Sequence, residues 1–171
     1  MDTTTGQGSV VQVSASRGGV PKLPVLGGQV HKLGLEGDAC RNLKYHGGPN
    51  QALLVITENA IDDLVAQGFE VYAGALGENL TVRGVDHRQF RIGQRWRIGQ
   101  EVWIEFTKIR VPCRTLDVYG EGRIQKAVYD KVVKAGDPSS PLWAKGGMYA
   151  KVVTPGFVAP GDAFVLMEDI A

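Results

Sequence analysis

The sequence predicts one mostly β domain, a barrel or a sandwich, carrying two helices. Three observations point there. The chain has 171 residues, the size of one ordinary domain. Its 23 glycines recur between short apolar segments, a rhythm of many turns and short strands. And "EVWIEFTKI" alternates strictly, with Val102, Ile104 and Phe106 on one face and Trp103, Glu105 and Thr107 on the other.

Taken in order, Val10 to Ser14 reads as a first strand and Met1 to Ser9 as a flexible tail. Pro21, Pro24 and paired glycines make 17–28 a loop. Val30 to Leu35 reads as a short strand, and 37–49 as irregular. "QALLVIT", Gln51 to Thr57, is strand-like, although its apolar run also suits a buried helical segment. A helix follows: Thr57 is its N-cap, acidic residues crowd its start, Ala60, Ile61, Leu64 and Val65 share a face, and Gly68 stops it. "ENLTVRG" and "RWRIG" read as strands. "RIQKAVYDKVVKAG" reads as a second helix burying Ile124, Ala127, Val128, Lys131 and Val132, and "MYAKVV" and "AFVLM" as terminal strands separated by a turn.

Hydrophobic residues make up 43% and charged residues 22%, which excludes a disordered or membrane composition. A formal net charge of +1 gives no general attraction to nucleic acid or anionic lipid. The first nine residues do not read as a signal peptide. The longest aliphatic run, Ala52 to Ile56, falls far short of the ~20 residues that span a bilayer. A cytoplasmic protein is expected, one domain over 1–171, with Cys40 and Cys113 kept as thiols by a reducing cytosol. No CxxC exists, and His31, His46 and His87 show no zinc spacing.

Chemistry concentrates in a few stretches. In "TKIRVPCRTLD", Cys113 lies just past a strand end between Arg110 and Arg114, whose charges would stabilise a thiolate; a buried, inert thiol is the alternative. In "KYHGGPNQA", His46 precedes Gly47 and Gly48, whose amides could meet an oxyanion, or the stretch is a plain tight turn. "GENLTV" places Glu78 and Asn79 before a strand, either as ligand contacts or as turn caps. "GLEGD" offers Glu36 and Asp38, a short pattern that is no EF-hand. Arginines from Arg83 to Arg114 form either a solvated face or a phosphate-binding wall. There is no GxGxxG, no P-loop and no nucleophile elbow.

The ordered set "GLEGD", "HGGPNQA", "GENLTV", "RVPC" and "GMYAKVVTPGFVAPGD" resembles the MOSC domain, named for the carboxy-terminal domain of molybdenum cofactor sulfurase, and most of all its small stand-alone bacterial type. The resemblance implies a mixed β-barrel with peripheral helices and a molybdenum-pterin cofactor. It implies that Cys113 ligates molybdenum or receives its sulfur chemistry, and that Cys113, His46 and Asn79 are the catalytic set. Gly47, Gly48, Glu78, Arg83, Arg110 and Arg114 would complete the cofactor site. Gln51 stands where many relatives have arginine. Two functions from different classes follow: a reductase of N-hydroxylated bases or related N–O compounds, and a non-enzymatic carrier of persulfide sulfur or cofactor. The chain shows neither the amino-terminal barrel of the amidoxime-reducing enzymes nor the pyridoxal-phosphate domain of the sulfurases. An electron-donating reductase or a transfer protein is therefore the expected partner, with a small-molecule substrate, no nucleic acid and no membrane; homodimerisation stays open.

Overall fold

The structure, a computed structural model, describes residues 6–39 and 47–170. Seven strands close into a mixed barrel. They are β1 (Gln7–Ala15), β5 (Leu53–Thr57), β6 (Leu80–Arg83), β7 (Arg95–Ile98), β8 (Val102–Ile109), β9 (Met148–Thr154) and β11 (Ala163–Glu168). Around the barrel the order is β1-β11-β7-β8-β9-β5-β6 and back to β1. Closure rests on β1, which gives its start to β11 (Gln7 opposite Val165) and its middle to β6 (Val10 opposite Val82), with a bulge between Val10 and Gln12. Its end pairs with β2 (Leu23–Val25). A small second sheet joins β10 (Gly156–Val158), β3 (Gly28–His31) and β4 (Gly34–Leu35).

Among the barrel pairs, β5 with β6 is parallel, Val55 facing Leu80. Parallel neighbours need a crossover, and α1 (Glu58–Ala66) supplies it. Thr57 caps this helix by accepting from the Ala60 amide, and Ala60, Ile61 and Leu64 are buried under it. Val65, expected on that face, is half exposed.

Apolar residues form two cores. Inside the barrel, Trp96 stacks on Phe164 at 4.5 Å and Phe90 meets Phe106 at 4.7 Å. Beside it, Ile56, Leu64, Leu76, Leu116, Ile124 and Val128 form a satellite cluster beneath α1 and α2 (Arg123–Val128). That cluster anchors the segment after Cys113. No helix among the described residues is long and apolar enough to cross a membrane.

Several elements differ from the sequence reading. Gln7 to Ser9, expected in a tail, are paired in β1, because backbone bonds to β11 and β6 need no apolar side chains. The loop 17–28 contains β2, and the single strand at 30–35 is the hairpin β3–β4, turning at Lys32 and Leu33. The "TPGFVAPGD" turn contains β10. The second helix is two: α2 stops at Tyr129, whose backbone is extended, and α3 (Lys131–Lys134) starts afresh on Asp130. The Asp130 carboxylate accepts from the Val133 amide at 2.7 Å, a cap that competes with helix continuation. That break turns Val133 inward and leaves Lys131 and Val132 exposed.

Candidate functional site

Just past β8, Pro112 disfavours a helical conformation at Val111, and the chain leaves the barrel through Arg110 and reaches Cys113 with extended backbone (φ −123°, ψ 179°). A 3-10 turn over Arg114–Tyr119 follows. It is held by Leu116, which is fully buried, by the Tyr119 hydroxyl donating to the Ala75 carbonyl at 2.6 Å, and by Gln125 Nε2 donating to the Cys113 carbonyl at 3.0 Å. Cys113 is a free, partly buried thiol whose Sγ lies 2.8 Å from Thr115 Oγ1.

Cys113 lines a cavity of about 470 Å³. Arg110 just past β8, Arg114 and Thr115 from the 3-10 turn and Tyr149 from β9 join it, with Gly77 and Asn79 from the turn before β6. Lys22, Asp38, Ala39 and Gly47 come from the loops around β2 and β4. Val20, Ala52, Leu54 and Leu76 add apolar surface. Segments far apart in sequence thus converge at one end of the barrel. Gly47, with φ at 82°, takes a conformation that L side chains rarely adopt.

Asn79 uses both of its amide hydrogens and one acceptor position of Oδ1. Its Oδ1 accepts from the Leu54 amide at 3.1 Å, and its Nδ2 donates to Asp38 Oδ2 at 2.8 Å and, more weakly, to the Ser14 carbonyl at 3.4 Å. Asp38 also accepts from the Ser16 amide at 2.9 Å and from Lys22 Nζ at 2.5 Å and 2.6 Å. The Lys22 and Asp38 side chains are only 10% and 9% exposed, so a buried ion pair stands in the cavity wall. Sequence reading missed Lys22, which sits in a stretch that looks like plain loop. Its place depends on Gly74: Lys22 N–H donates to the Gly74 carbonyl, and a Cβ at Gly74 would lie 2.2 Å from the Lys22 carbonyl oxygen.

Arg110 is 4% exposed. One guanidinium nitrogen donates to the Gly146 carbonyl at 3.1 Å, and among the described residues its Nε has no hydrogen-bond partner and the side chain joins no ion pair within 4 Å. Behind it lies Glu78, completely buried and outside the cavity lining. Burial pushes the Glu78 carboxyl above its ordinary range, against the opposing pull of its own and the Gly74 amides, the Arg110 charge and Thr81. Glu78 Oε2 accepts from Thr81 Oγ1 at 3.3 Å, while Oε1 makes no hydrogen bond of good geometry among the described residues.

The structure therefore brings Cys113, Asn79, Gly47, Arg110 and Arg114 to one cavity. Gly48 and the Glu78 side chain do not line it. Arg83 is held at the surface against Glu58 at 2.9 Å, and Arg88 and Arg95 are likewise committed to Asp86 and Glu105. His46 and Cys40 lie outside the described residues. The Glu36–Asp38 pairing does not form: Glu36 is exposed and faces His31, while Asp38 turns into the wall. Among the described residues no group of three or more His, Cys, Asp or Glu side chains is arranged to hold a metal ion.

Comparison with solved structures finds this fold repeatedly. YiiM from Escherichia coli matches with a TM-score of 0.70 at 23% identity, over 96% of this chain and 71% of that one. YiiM from Geobacillus stearothermophilus matches at 0.68 and 22% identity, over 94% and 75%. YuaD from Bacillus subtilis matches at 0.66 and 14% identity, over 95% and 97%. At such identities these likenesses establish the fold alone. No curated protein matches by sequence. Residues 42–165, from the segment preceding the cavity's Gly47 to the last strand of the barrel, match the family profile of the MOSC domain, and the chain belongs to that family.

Proposed function

We propose that the cavity holds a molybdenum-pterin cofactor and that the loaded protein reduces N-hydroxylated bases or related N–O compounds with electrons from a separate reductase. The observation that carries this reading is the Cys113 thiol lining a cavity whose cations outnumber its carboxylates.

The residues present fit such a group. A volume of about 470 Å³ lies within the usual range for a small-molecule site. Val20, Leu54 and Leu76 offer apolar contact for a ring system. A lone thiolate suits a soft metal that takes its remaining ligands from its own cofactor. When bound, the cofactor supplies two-electron chemistry with an exchangeable oxygen position. The chain's part is to hold and orient. Cys113 Sγ would bind the metal. Lys22 Nζ gives two of its protons to Asp38 and keeps the third for an oxygen entering the cavity. Asn79 holds Asp38, and through it the Lys22 ammonium, in the cavity wall. Overall, an N–OH compound with two electrons and two protons gives the N–H compound and water. A reducing compartment, which keeps Cys113 a thiol, is part of the proposal.

The test is metal analysis and pterin fluorescence on protein from a host that makes the cofactor, repeated with Cys113→Ala, followed by turnover with a supplied donor. Stoichiometric molybdenum, lost in the variant, together with turnover supports the reductase. Cofactor binding without turnover, but with transfer to an apo-enzyme, selects the carrier. Folded protein without molybdenum or pterin refutes both.

A further inference from the structure

The Thr115 hydroxyl stands 2.8 Å from Cys113 Sγ, and both residues line the cavity. Neither side chain makes another hydrogen bond among the described residues. The backbone around the pair is pinned from the protein side. Leu116, the next residue, is fully buried in the satellite cluster, and its amide donates to the Cys113 carbonyl at 3.2 Å. Gln125 of α2 donates from Nε2 to the same carbonyl at 3.0 Å and to Asp117 Oδ1 at 2.6 Å. The turn is thus gripped on both sides of Thr115, which keeps the hydroxyl within reach of the sulfur. A neutral thiol can donate to that hydroxyl or accept from it. A thiolate, free or bound to a metal, has no proton left, so the hydroxyl must donate.

We infer that Thr115 is a positioning residue for Cys113, its hydroxyl donating to the thiolate, fixing the direction of one sulfur lone pair and drawing electron density from the sulfur. This role deepens the reading of Cys113 as a molybdenum ligand and rests on it for the second of two consequences. The first belongs to the protein alone: a sulfur with less electron density is a weaker nucleophile. The second belongs to the loaded protein. A thiolate that shares its charge with a hydroxyl gives less to a metal, which disfavours the oxidised metal and raises its reduction potential. The Thr115 side chain is exposed, so water competes for the bond in the empty cavity. A ligand that fills the cavity excludes that water and strengthens it.

Thr115→Val keeps the shape of the side chain and removes the hydroxyl, whereas Thr115→Ser keeps the hydroxyl. Both changes fall on an exposed side chain, and melting curves confirm folding. In freshly reduced protein without cofactor, iodoacetamide alkylation of Cys113 is followed on its own peptide by mass spectrometry, at a pH above which the rate no longer rises. Thr115→Val should react about threefold faster than the parent, and Thr115→Ser at the parent rate. In molybdenum-loaded protein, the midpoint potential of the metal should fall in Thr115→Val and return to the parent value in Thr115→Ser. Alkylation of Thr115→Val at the parent rate or slower overturns the bond to the thiolate. A serine variant that behaves like the valine variant also overturns it, since shape and not the hydroxyl would then be responsible. Faster alkylation of Thr115→Val in a protein whose parent never loads molybdenum refutes the cofactor reading and leaves the bond standing. Molybdenum held through Cys113 with an unchanged potential in Thr115→Val keeps that reading and removes Thr115 from it.

Discussion

Asn79 Nδ2 donates to Asp38 Oδ2 at 2.8 Å, and this bond joins the turn before β6 to the carboxylate that holds Lys22 in the cavity wall. The asparagine also takes the Leu54 amide on β5 and touches the Ser14 carbonyl on β1. One side chain thus links two barrel strands and the loop after β4. Through Asp38 it also fixes the Lys22 ammonium.

Asn79→Ala should therefore destabilise the fold, by about 3 kcal/mol, since it strands a buried amide and a buried carboxylate at once. Asp38→Asn should cost about 3 kcal/mol by leaving the Lys22 ammonium buried without its counter-charge. Denaturant midpoints measure both. Losses below about 1 kcal/mol would mean the loops relax and that this network does not organise the cavity.

Cys113→Ser should leave stability within about 0.5 kcal/mol, because the thiol is partly exposed and Thr115, its side-chain hydrogen-bond partner among the described residues, accepts a hydroxyl equally well. Molybdenum content should nonetheless fall to background. Metal analysis beside a melting curve separates the two effects, and full metal content in the variant would remove Cys113 as ligand.

Glu78 makes stability fall with rising pH. Its carboxyl is raised in the folded protein above the ordinary value of 4.5, so between those two points the folded state binds more proton than the unfolded. The decline begins near the ordinary value and ends above the raised one. Glu78→Gln, which keeps an acceptor for Thr81, should melt higher than the parent by a margin that grows with pH across that window. A margin constant with pH would show that Glu78 does not change ionisation there.

His87 works in the opposite direction. It is buried with Nδ1 2.6 Å from the Trp143 carbonyl, and burial holds it below its ordinary 6.5, against the carbonyl and Asp86. Its contribution is complete above 6.5 and is lost as pH falls through the lowered value, where the folded state must take up a charge. His87→Gln should flatten the acid side of the melting-temperature profile. A profile as steep as the parent's would exclude His87 as the source.

Much of the barrel was legible in the chain. β8 shows its two faces as plain alternation, and Thr57 with Gly68 marks where α1 begins and ends. These are local signals, written within a few residues by side-chain period and capping chemistry. Residues Cys113 and Asn79 also stood out, by residue type and by family resemblance. What each does was not legible. Arg83 and Arg110 look alike in sequence, yet a neighbouring carboxylate keeps Arg83 at the surface, while the end of β8 turns Arg110 into the cavity. Lys22 gave no signal at all, because its partner lies in a different loop and its position rests on a close backbone approach to Gly74. Periodicity, caps and turns act over one turn of chain, and composition by itself determined a β domain with glycine-bounded strands. Pairing of charges, burial of Glu78 and convergence on one cavity act across the closed barrel, where distance along the chain carries no information about distance in space.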